Sequence, residues 1–168
     1  VLEYVKSAFL KGGLRSKGWN KQDTMYFAKG VDRLNQNFTQ QTKNRKLNYF
    51  NDPVLRSGYL SYFLPVNAIK AYFLFKKHLK NLNDETKTIR VADIGAGPLT
   101  LSIALLLLKP KAKLEFHAFE TNKKILEDGN KIILSLADRL GIKIKTYLHP
   151  TNIFTDRDPD FTGEPFLL

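Results

Sequence analysis

The sequence predicts an α/β protein in which a basic helical region, residues 1–82, precedes the first half of a doubly wound parallel sheet in residues 83–168. Residues 1–82 contain polar and amphipathic helix patterns separated by Gly, Asn and Pro, whereas residues 83–168 alternate short apolar runs with helical patterns. A glycine-rich turn follows the first of these apolar runs. Alternating strands and helices imply parallel strands, because right-handed crossover connections join neighbouring strands of such a sheet.

The N-terminal region is predicted to contain a helix over residues 25–35. Asn20, followed by Asp23 three positions later, is typical of a helix start, because short polar side chains cap free backbone N–H groups. Residues 35–48 are polar and predict a helix end and a loop that faces phosphate groups. The cations of this loop are Lys43, Arg45 and Lys46.

Two further helices are predicted before the sheet. Asp52 and Pro53 form a helix start, since proline at the first helical position loses only an N–H that would lack a partner. Pro65 is expected to divide this helix from a second one over residues 66–82. The spacing of apolar and basic residues in the second helix is amphipathic. These residues are Ile69, Tyr72, Phe73, Lys76 and Lys77.

Residues 83–168 predict strand, helix, strand, helix and strand in succession. The predicted strands cover residues 89–94, 114–119 and 142–148, and the predicted helices cover residues 99–108 and 122–140. Gly141 closes the second helix. Phe166 begins an apolar stretch that resembles a fourth strand continuing past Leu168. We therefore expect an incomplete sheet, with catalytic groups beyond the C-terminal residue of this sequence.

Composition excludes several classes of function. The chain has no cysteine and three scattered histidines, so neither a disulfide framework nor a metal site is expected. The longest apolar run, residues 101–108, is far shorter than the roughly 20 residues of a membrane span. We expect a soluble protein, cytoplasmic or, in a eukaryote, mitochondrial, although a targeting segment before Val1 would not be visible. The oligomeric state is not readable from the sequence.

The excess of positive over negative charge lies entirely in the first half of the chain. Residues 1–90 contain 17 Lys and Arg against 6 Asp and Glu, whereas residues 91–168 contain 10 of each. Such an excess favours a polyanionic partner, and interleaved aromatic residues that can stack on bases favour RNA. These aromatic residues are Tyr4, Trp19, Tyr26, Tyr49 and Phe50. The alternative is a solvated surface that keeps the protein soluble.

The segment from Asp93 to Thr100 has the composition of a ligand-binding turn. Gly95 and Gly97 let the backbone approach a ligand, towards which the next helix directs its N-terminus. Thr100 stands where a dinucleotide-binding turn usually has its third glycine, and Pro98 lacks an N–H for pyrophosphate. An acid in the turn also repels a diphosphate, whereas it attracts the sulfonium and amino groups of S-adenosylmethionine. The pattern therefore favours the methyl donor over NAD.

A second acid, Glu120, follows the second predicted strand, 27 positions after Asp93. A carboxylate there can accept hydrogen bonds from both ribose hydroxyls, and the spacing fits one strand-helix-strand unit. Asn152 can meet the adenine amino group, or it is simply a loop residue. A turn-forming role for Asp93 and a helix-capping role for Glu120 are the alternatives. The predicted cofactor site comprises Asp93, Gly95, Ala96, Gly97, Thr100, Glu120, Thr121 and Asn152.

Two segments together resemble a known family. They are Tyr59-Leu60-Ser61-Tyr62-Phe63-Leu64-Pro65 and Asp93-Ile94-Gly95-Ala96-Gly97-Pro98-Leu99-Thr100. They are similar to the ribosomal small-subunit methyltransferase-like family, whose best-known members are mitochondrial ribosome-assembly proteins, and the resemblance covers residues 45–140. It implies a Rossmann-like methyltransferase sheet that binds S-adenosylmethionine and a partner in the small ribosomal subunit.

The chain departs from the family pattern in two places. Leu99 replaces the last glycine of the family's Gly-Pro-Gly-Thr, and we expect the bulkier side chain to tighten the methionine pocket. The family's cysteine cluster cannot be carried onto a chain without cysteine. In similar folds the helix before the turn closes over the methionine carboxylate, which makes Tyr62 and Arg56 a candidate clamp. Aromatic packing between helices is the alternative for Tyr62.

The expected function is an S-adenosylmethionine-dependent methyltransferase that acts on ribosomal RNA or in small-subunit assembly. Catalysis would come mainly from positioning donor and acceptor, which contributes roughly 7 to 11 kcal/mol in favourable cases. Two alternatives stay open. One is a non-catalytic RNA-binding assembly factor that retains the cofactor fold, and the other is a small-molecule methyltransferase, which leaves the basic half unexplained.

Overall fold

The computed structural model describes residues 1–10, 19–39, 48–79, 82, 84–152 and 155. The chain divides into two compact units, Val1–Val66 and Asn67–Leu168, here called the helical unit and the sheet unit. Of the predicted helix end and loop at residues 35–48, residues 40–47 with Lys43, Arg45 and Lys46 lie outside the described residues, as does the predicted fourth strand at Phe166. The predicted domain division after residue 82 stays a prediction.

The helical unit begins with α1 (Leu2–Phe9) and α2 (Lys21–Thr39). The N-terminus of α2 is capped as predicted, because Asp23 N–H donates to Asn20 Oδ1 at 2.8 Å and Asn20 N–H donates to Asp23 Oδ2 at 3.2 Å. Asp23 also forms a buried ion pair with Lys6, whose Nζ lies 2.9 Å from its Oδ2. The same carboxylate therefore fixes the start of α2 and joins it to α1.

A short 3₁₀ turn (Tyr49–Asn51) leads into α3 (Pro53–Gly58). Asp52 caps α3 by accepting from the backbone N–H groups of Val54 and Leu55 at 2.8 and 3.3 Å, which confirms the predicted helix start. Helices α2 and α3 touch through glycines. A Cβ on Gly30 would overlap the α3 backbone, and a Cβ on Gly58 would overlap the α2 backbone. Both positions therefore require glycine for close helix packing.

The predicted break at Pro65 is wrong. A π turn (Tyr59–Phe63) continues directly from α3 into α4 (Leu64–His78). Leu64 N–H donates to the Tyr59 carbonyl five residues earlier, and this wider turn accommodates the ring of a proline that would clash in a regular helix.

Helix α4 confirms the predicted second helix but ends at His78 rather than at residue 82. Its buried side is formed by Ala68 and Ala71, whereas Ile69 and Phe73 are 52% and 63% exposed. The larger apolar residues of the predicted amphipathic pattern therefore face solvent.

In the described part of the sheet unit, three strands and two helices follow α4 in the predicted order. They are β1 (Thr88–Ile94), α5 (Thr100–Leu107), β2 (Lys113–Phe119), α6 (Lys123–Leu140) and β3 (Ile144–His149). The strands are parallel and lie in the order β1-β2-β3, so the predicted parallel α/β arrangement is confirmed. Such a sheet is compatible with a Rossmann-like fold.

One face of the sheet is apolar and buried, and its largest fully buried side chain is Phe116. Ion pairs cross the strands on the other face, where Glu115 lies 3.1 Å from Arg90 and 2.9 Å from Lys145. Hydrogen bonds from Lys145 and Arg90 hold the pKa of Glu115 below its usual range. Within the described ranges, no helix combines the length and the apolar character that crossing a membrane requires.

Candidate functional site

The turn between β1 and α5 contains three residues with left-handed backbone. Gly95, Gly97 and Leu99 have φ angles of 65°, 51° and 57°. Glycine adopts this conformation readily, whereas leucine is strained by roughly 1 to 2 kcal/mol. The turn therefore needs glycine at two positions and tolerates leucine at the third at a conformational cost.

The side chain of Leu99 explains why that strain is tolerated. It is fully buried, and burying a leucine stabilises a protein by about 1.5 to 3 kcal/mol, which offsets the backbone strain. The expectation that Leu99 tightens a methionine pocket is therefore corrected, because a fully buried side chain packs in the interior and cannot line an accessible pocket.

The two predicted acids lie at the same edge of the sheet but make different contacts. Glu120 joins the loops after β1 and β2, because its Oε2 accepts from Gly97 N–H at 3.1 Å. Its Oε1 accepts from Thr121 Oγ1 at 3.1 Å and from Asn122 N–H at 2.9 Å. The alternative role of Glu120 as a helix cap is not what the structure has, because Asn122 caps α6 by accepting from Ile125 N–H at 3.1 Å. Glu120 instead holds the loop before α6 and binds the glycine turn directly.

Asp93 is 2% exposed, and its contacts lie within the protein. Its Oδ2 accepts from both the hydroxyl and the backbone N–H of Ser102, at 2.8 and 3.2 Å. Burial raises the pKa of Asp93, and the two hydrogen bonds from Ser102 only partly oppose this rise. Asp93 therefore fixes the first turn of α5, and its predicted attraction for a positively charged ligand would act from beneath the turn.

The backbone groups of the turn are also fixed. Ala96 N–H donates to the Phe119 carbonyl at 3.0 Å, and Thr100 N–H donates to the Ala96 carbonyl at 3.3 Å. A Cβ on Gly95, by contrast, would have no atom within 4 Å. The turn is therefore held from the β2 side and is open at Gly95, where a ligand can approach the backbone.

Gly129 in the middle of α6 supports the turn and was missed by sequence reasoning. A Cβ on this residue would overlap the backbone of Pro98. The available signal was a glycine within a strongly amphipathic helix, where glycine is unfavourable unless packing requires it. Gly129 thus fixes how closely α6 approaches the candidate site.

Other predicted site residues flank this centre. Thr121 is exposed, and Asn152 lies half-buried in the loop after β3. The loops after β2 and β3 are linked, since Glu120 N–H donates to the His149 carbonyl at 3.1 Å. The adenine contact of Asn152 stays a prediction.

The two candidate clamp residues belong to the helical unit. Arg56 donates from Nη1 to the Phe50 carbonyl at 2.9 Å, and its guanidinium lies 5.2 Å from the ring centre of Phe9. Tyr62 is 49% exposed and contacts Phe63 edge-on at 5.2 Å. Arg56 is therefore engaged in packing, and the clamp itself stays a prediction.

The sequence matches no protein-family model, no curated protein and no solved structure. In the part of the chain that the structure describes, no group of three or more His, Cys, Asp or Glu side chains is arranged to hold a metal ion. The geometry of the turn is therefore the basis for a functional assignment.

Proposed function

We propose that this protein is an S-adenosylmethionine-dependent methyltransferase that acts on RNA, with the small ribosomal subunit as the target. The observation that carries the proposal is the hydrogen bond between Gly97 N–H and the Glu120 carboxylate, 3.1 Å long. It joins the glycine turn and the acid at the carboxyl ends of two parallel strands, the edge at which ligands bind in such sheets.

The residues at this edge fit the cofactor. A carboxylate offers about four acceptor sites, and Glu120 uses three of them, so it can accept from a ribose hydroxyl and can exchange its bond to Gly97 for a second one. A Cβ on Gly95 would fill space that is open on the ligand side. Asp93 would repel the diphosphate of NAD, and its charge suits a cationic ligand.

S-adenosylmethionine would supply a methyl group activated by its positively charged sulfur. The chain's own residues would bind and orient the molecule. Glu120 would hold the ribose, and Gly95 would allow the backbone to approach. Asp93 would act through Ser102 by fixing α5 and by placing negative charge beneath the turn. Such positioning would supply a large part of the rate acceleration without a nucleophile from these residues.

RNA is proposed as the substrate because of charge. The excess of 17 Lys and Arg over 6 Asp and Glu lies in residues 1–90, and a small-molecule substrate gives this excess no role. The protein would act where small ribosomal subunits assemble, in the cytoplasm or, in a eukaryote, in mitochondria.

Two glycines provide a matched test of the cofactor site. Gly95 and Gly141 have φ angles of 65° and 67°, and neither Cβ would meet an atom within 4 Å. Alanine at either position should therefore introduce the same backbone strain, about 1 kcal/mol. Calorimetry with S-adenosylmethionine should show at least tenfold weaker binding for Gly95→Ala, while Gly141→Ala keeps the affinity of the unmodified protein.

This calorimetry, combined with a methyl-transfer assay, separates the candidate functions. Equal affinities for Gly95→Ala and Gly141→Ala, or tighter binding of NAD than of S-adenosylmethionine, would overturn the cofactor assignment. Cofactor binding without transfer of a labelled methyl group to small-subunit RNA would favour the non-catalytic assembly factor. Transfer to small acceptors but not to RNA would favour the small-molecule enzyme.

A further inference from the structure

A groove of about 430 Å³ lies in the helical unit, well apart in sequence from the glycine turn. Helix α2 and the π turn form its walls. The residues that matter to its chemistry are Trp19, Phe27, Asp32, Asn35, Ser61 and Tyr62. The groove thus combines large aromatic rings with hydrogen-bonding side chains.

Two of the aromatic rings are exposed and supported from behind. Trp19 is 40% exposed and packs on the buried ring of Phe27, with ring centres 5.0 Å apart. Tyr62 is 49% exposed and packs edge-on against Phe63. Exposed rings held in place by a second ring are suited to stacking on a flat ligand, because their orientation is already fixed.

Asp32 supplies a hydrogen-bond acceptor in the groove. Gln36 Nε2 donates to its Oδ2 at 2.9 Å, which orients the carboxylate. Asp23 and Asp52 of the same unit are paired with Lys6 and Arg33, whereas Asp32 has no cationic partner among the residues that the structure describes. Its acceptor capacity is therefore available to a ligand that carries N–H groups.

The surroundings of the groove attract a polyanion. Residues 1–66 contain 11 Lys and Arg but only 4 Asp and Glu. Lys21 and Lys29 lie exposed on α2, close in sequence to groove residues. Phosphate groups would be repelled by Asp32 inside the groove and attracted by the lysines outside it. A ligand with an uncharged flat ring and a negatively charged backbone satisfies both conditions.

We propose that this groove binds one base of a single-stranded RNA, and that it prefers cytosine to uracil. The base stacks on the exposed rings that line the groove, those of Trp19 and Tyr62. The Asp32 carboxylate accepts a hydrogen bond from the cytosine N4 amino group, whereas uracil presents an oxygen at the same place and is repelled. The inference rests on the RNA partner of the proposed function and is independent of the cofactor.

Trp19 is the single tryptophan of the chain, so its fluorescence reports directly on the groove. The full chain would be titrated with oligocytidine, oligouridine and an abasic oligonucleotide of equal length. We expect quenching by both base-containing oligonucleotides, with roughly 2- to 10-fold tighter binding of oligocytidine, and no quenching by the abasic chain. Equal quenching by the abasic chain, or equal affinity for cytosine and uracil, would overturn the proposal.

Variants identify the residues responsible. Tyr62→Ala should weaken oligocytidine binding roughly 5- to 150-fold, and Phe73→Ala, which removes an exposed ring outside the groove, should leave it unchanged. Asp32→Ala should abolish the preference for cytosine. Glu3→Ala, which removes the same charge from the helical unit, should preserve it. A preference that survives Asp32→Ala, or equal losses for Tyr62→Ala and Phe73→Ala, would refute the assignment.

Calorimetry with S-adenosylmethionine on the same variants keeps the two proposals apart. Asp32→Ala and its control Glu3→Ala should both bind the cofactor as the unmodified protein does, because neither residue belongs to the proposed cofactor site. A loss of cofactor affinity in Asp32→Ala but not in Glu3→Ala would contradict the separate base groove. A chain that binds bases but no cofactor would refute the proposed methyltransferase and leave the groove intact.

Discussion

The two units each bury an aspartate but give it opposite surroundings. In the helical unit, Asp23 lies 2.9 Å from Lys6, and the hydrogen bond from this lysine lowers its pKa. In the sheet unit, the contacts of Asp93 come from the uncharged Ser102, and burial raises its pKa. A paired charge of this kind serves folding, whereas a buried carboxylate held only by neutral donors is unfavourable for stability and is typical of a functional site.

Replacing Lys6 with methionine should produce the largest effect, because it leaves the Asp23 carboxylate buried without its cation. Because the pKa of Asp23 is lower in the folded protein, the Asp23 carboxylate stabilises the fold at pH values above its pKa in the unfolded chain. This stabilisation is lost as the pH falls through its pKa in the folded protein. Lys6→Met should therefore greatly lower the melting temperature at neutral pH. Lys29→Met, at an exposed position of α2, is the control. Equal melting temperatures for the two variants would show that the buried pair contributes nothing.

Ser102→Ala should have the next largest effect. It removes the hydroxyl that donates to Asp93 at 2.8 Å, and losing a hydrogen bond to a charged group typically reduces stability by about 1.5 to 3 kcal/mol. Chemical denaturation would measure the loss. The same change in an Asp93→Asn background should cost clearly less, since the acceptor is then neutral. An identical cost in both backgrounds would mean that the Asp93 carboxylate is uncharged in the folded protein.

Asp93→Asn should have a smaller effect of opposite sign. Because the pKa of Asp93 is raised in the folded protein, Asp93 does not reduce stability at pH values below its pKa in the unfolded chain. Stability falls as the pH rises from there through the pKa of Asp93 in the folded protein. Asparagine should therefore stabilise the protein at neutral pH by about 0.5 to 2 kcal/mol. This gain should disappear when the melting temperatures are compared below pH 3.8, the usual pKa of aspartate.

Asp93→Asn is also expected to weaken binding of the cofactor. Removing the charge beneath the turn should weaken S-adenosylmethionine binding, which calorimetry would measure at neutral pH. An Asp93→Asn variant that is less stable but binds the cofactor normally would contradict this contrast between the two aspartates. Asp93 would then stabilise the fold, as Asp23 does.

Local patterns in the sequence were sufficient to predict the order of the strands of the parallel sheet and of the helices between them. As expected, helices begin after Asn20 and Asp52, and α6 ends at Gly141. These caps were predictable because they depend on a few neighbouring residues. The predicted helix break at Pro65 was wrong because it does not depend on neighbouring residue types alone. Whether a proline breaks a helix depends on the hydrogen bonds of the turn before it, and the π turn provided an arrangement that propensity does not reveal.

The candidate site was predicted in its positions but not in its contacts. The sequence indicated that Asp93 and Glu120 lie at one edge of the sheet, as the parallel register requires. It did not indicate that Asp93 points towards Ser102 or that Gly129 approaches Pro98, because both contacts depend on how α5 and α6 pack. The strain at Leu99 was likewise invisible, since a left-handed leucine looks ordinary in a sequence.

The smallest effect is expected for a third carboxylate, which is paired like Asp23 but lies beside exposed cations. Glu115 binds Lys145, whose side chain is 67% exposed, and also binds Arg90. Lys145→Ala leaves Arg90 in place, so the pKa of Glu115 should stay below its usual value and the stability at neutral pH should change little.

The loss of stability should be detectable only at low salt, because solvent ions screen exposed pairs, and it should vanish as pH falls and Glu115 becomes protonated. Thermal melts of Lys145→Ala at low and high salt would measure it. A loss as large as that of Lys6→Met would show that burial is not what distinguishes these ion pairs. The contrast between Asp23 and Asp93 would then have to be explained by pairing alone.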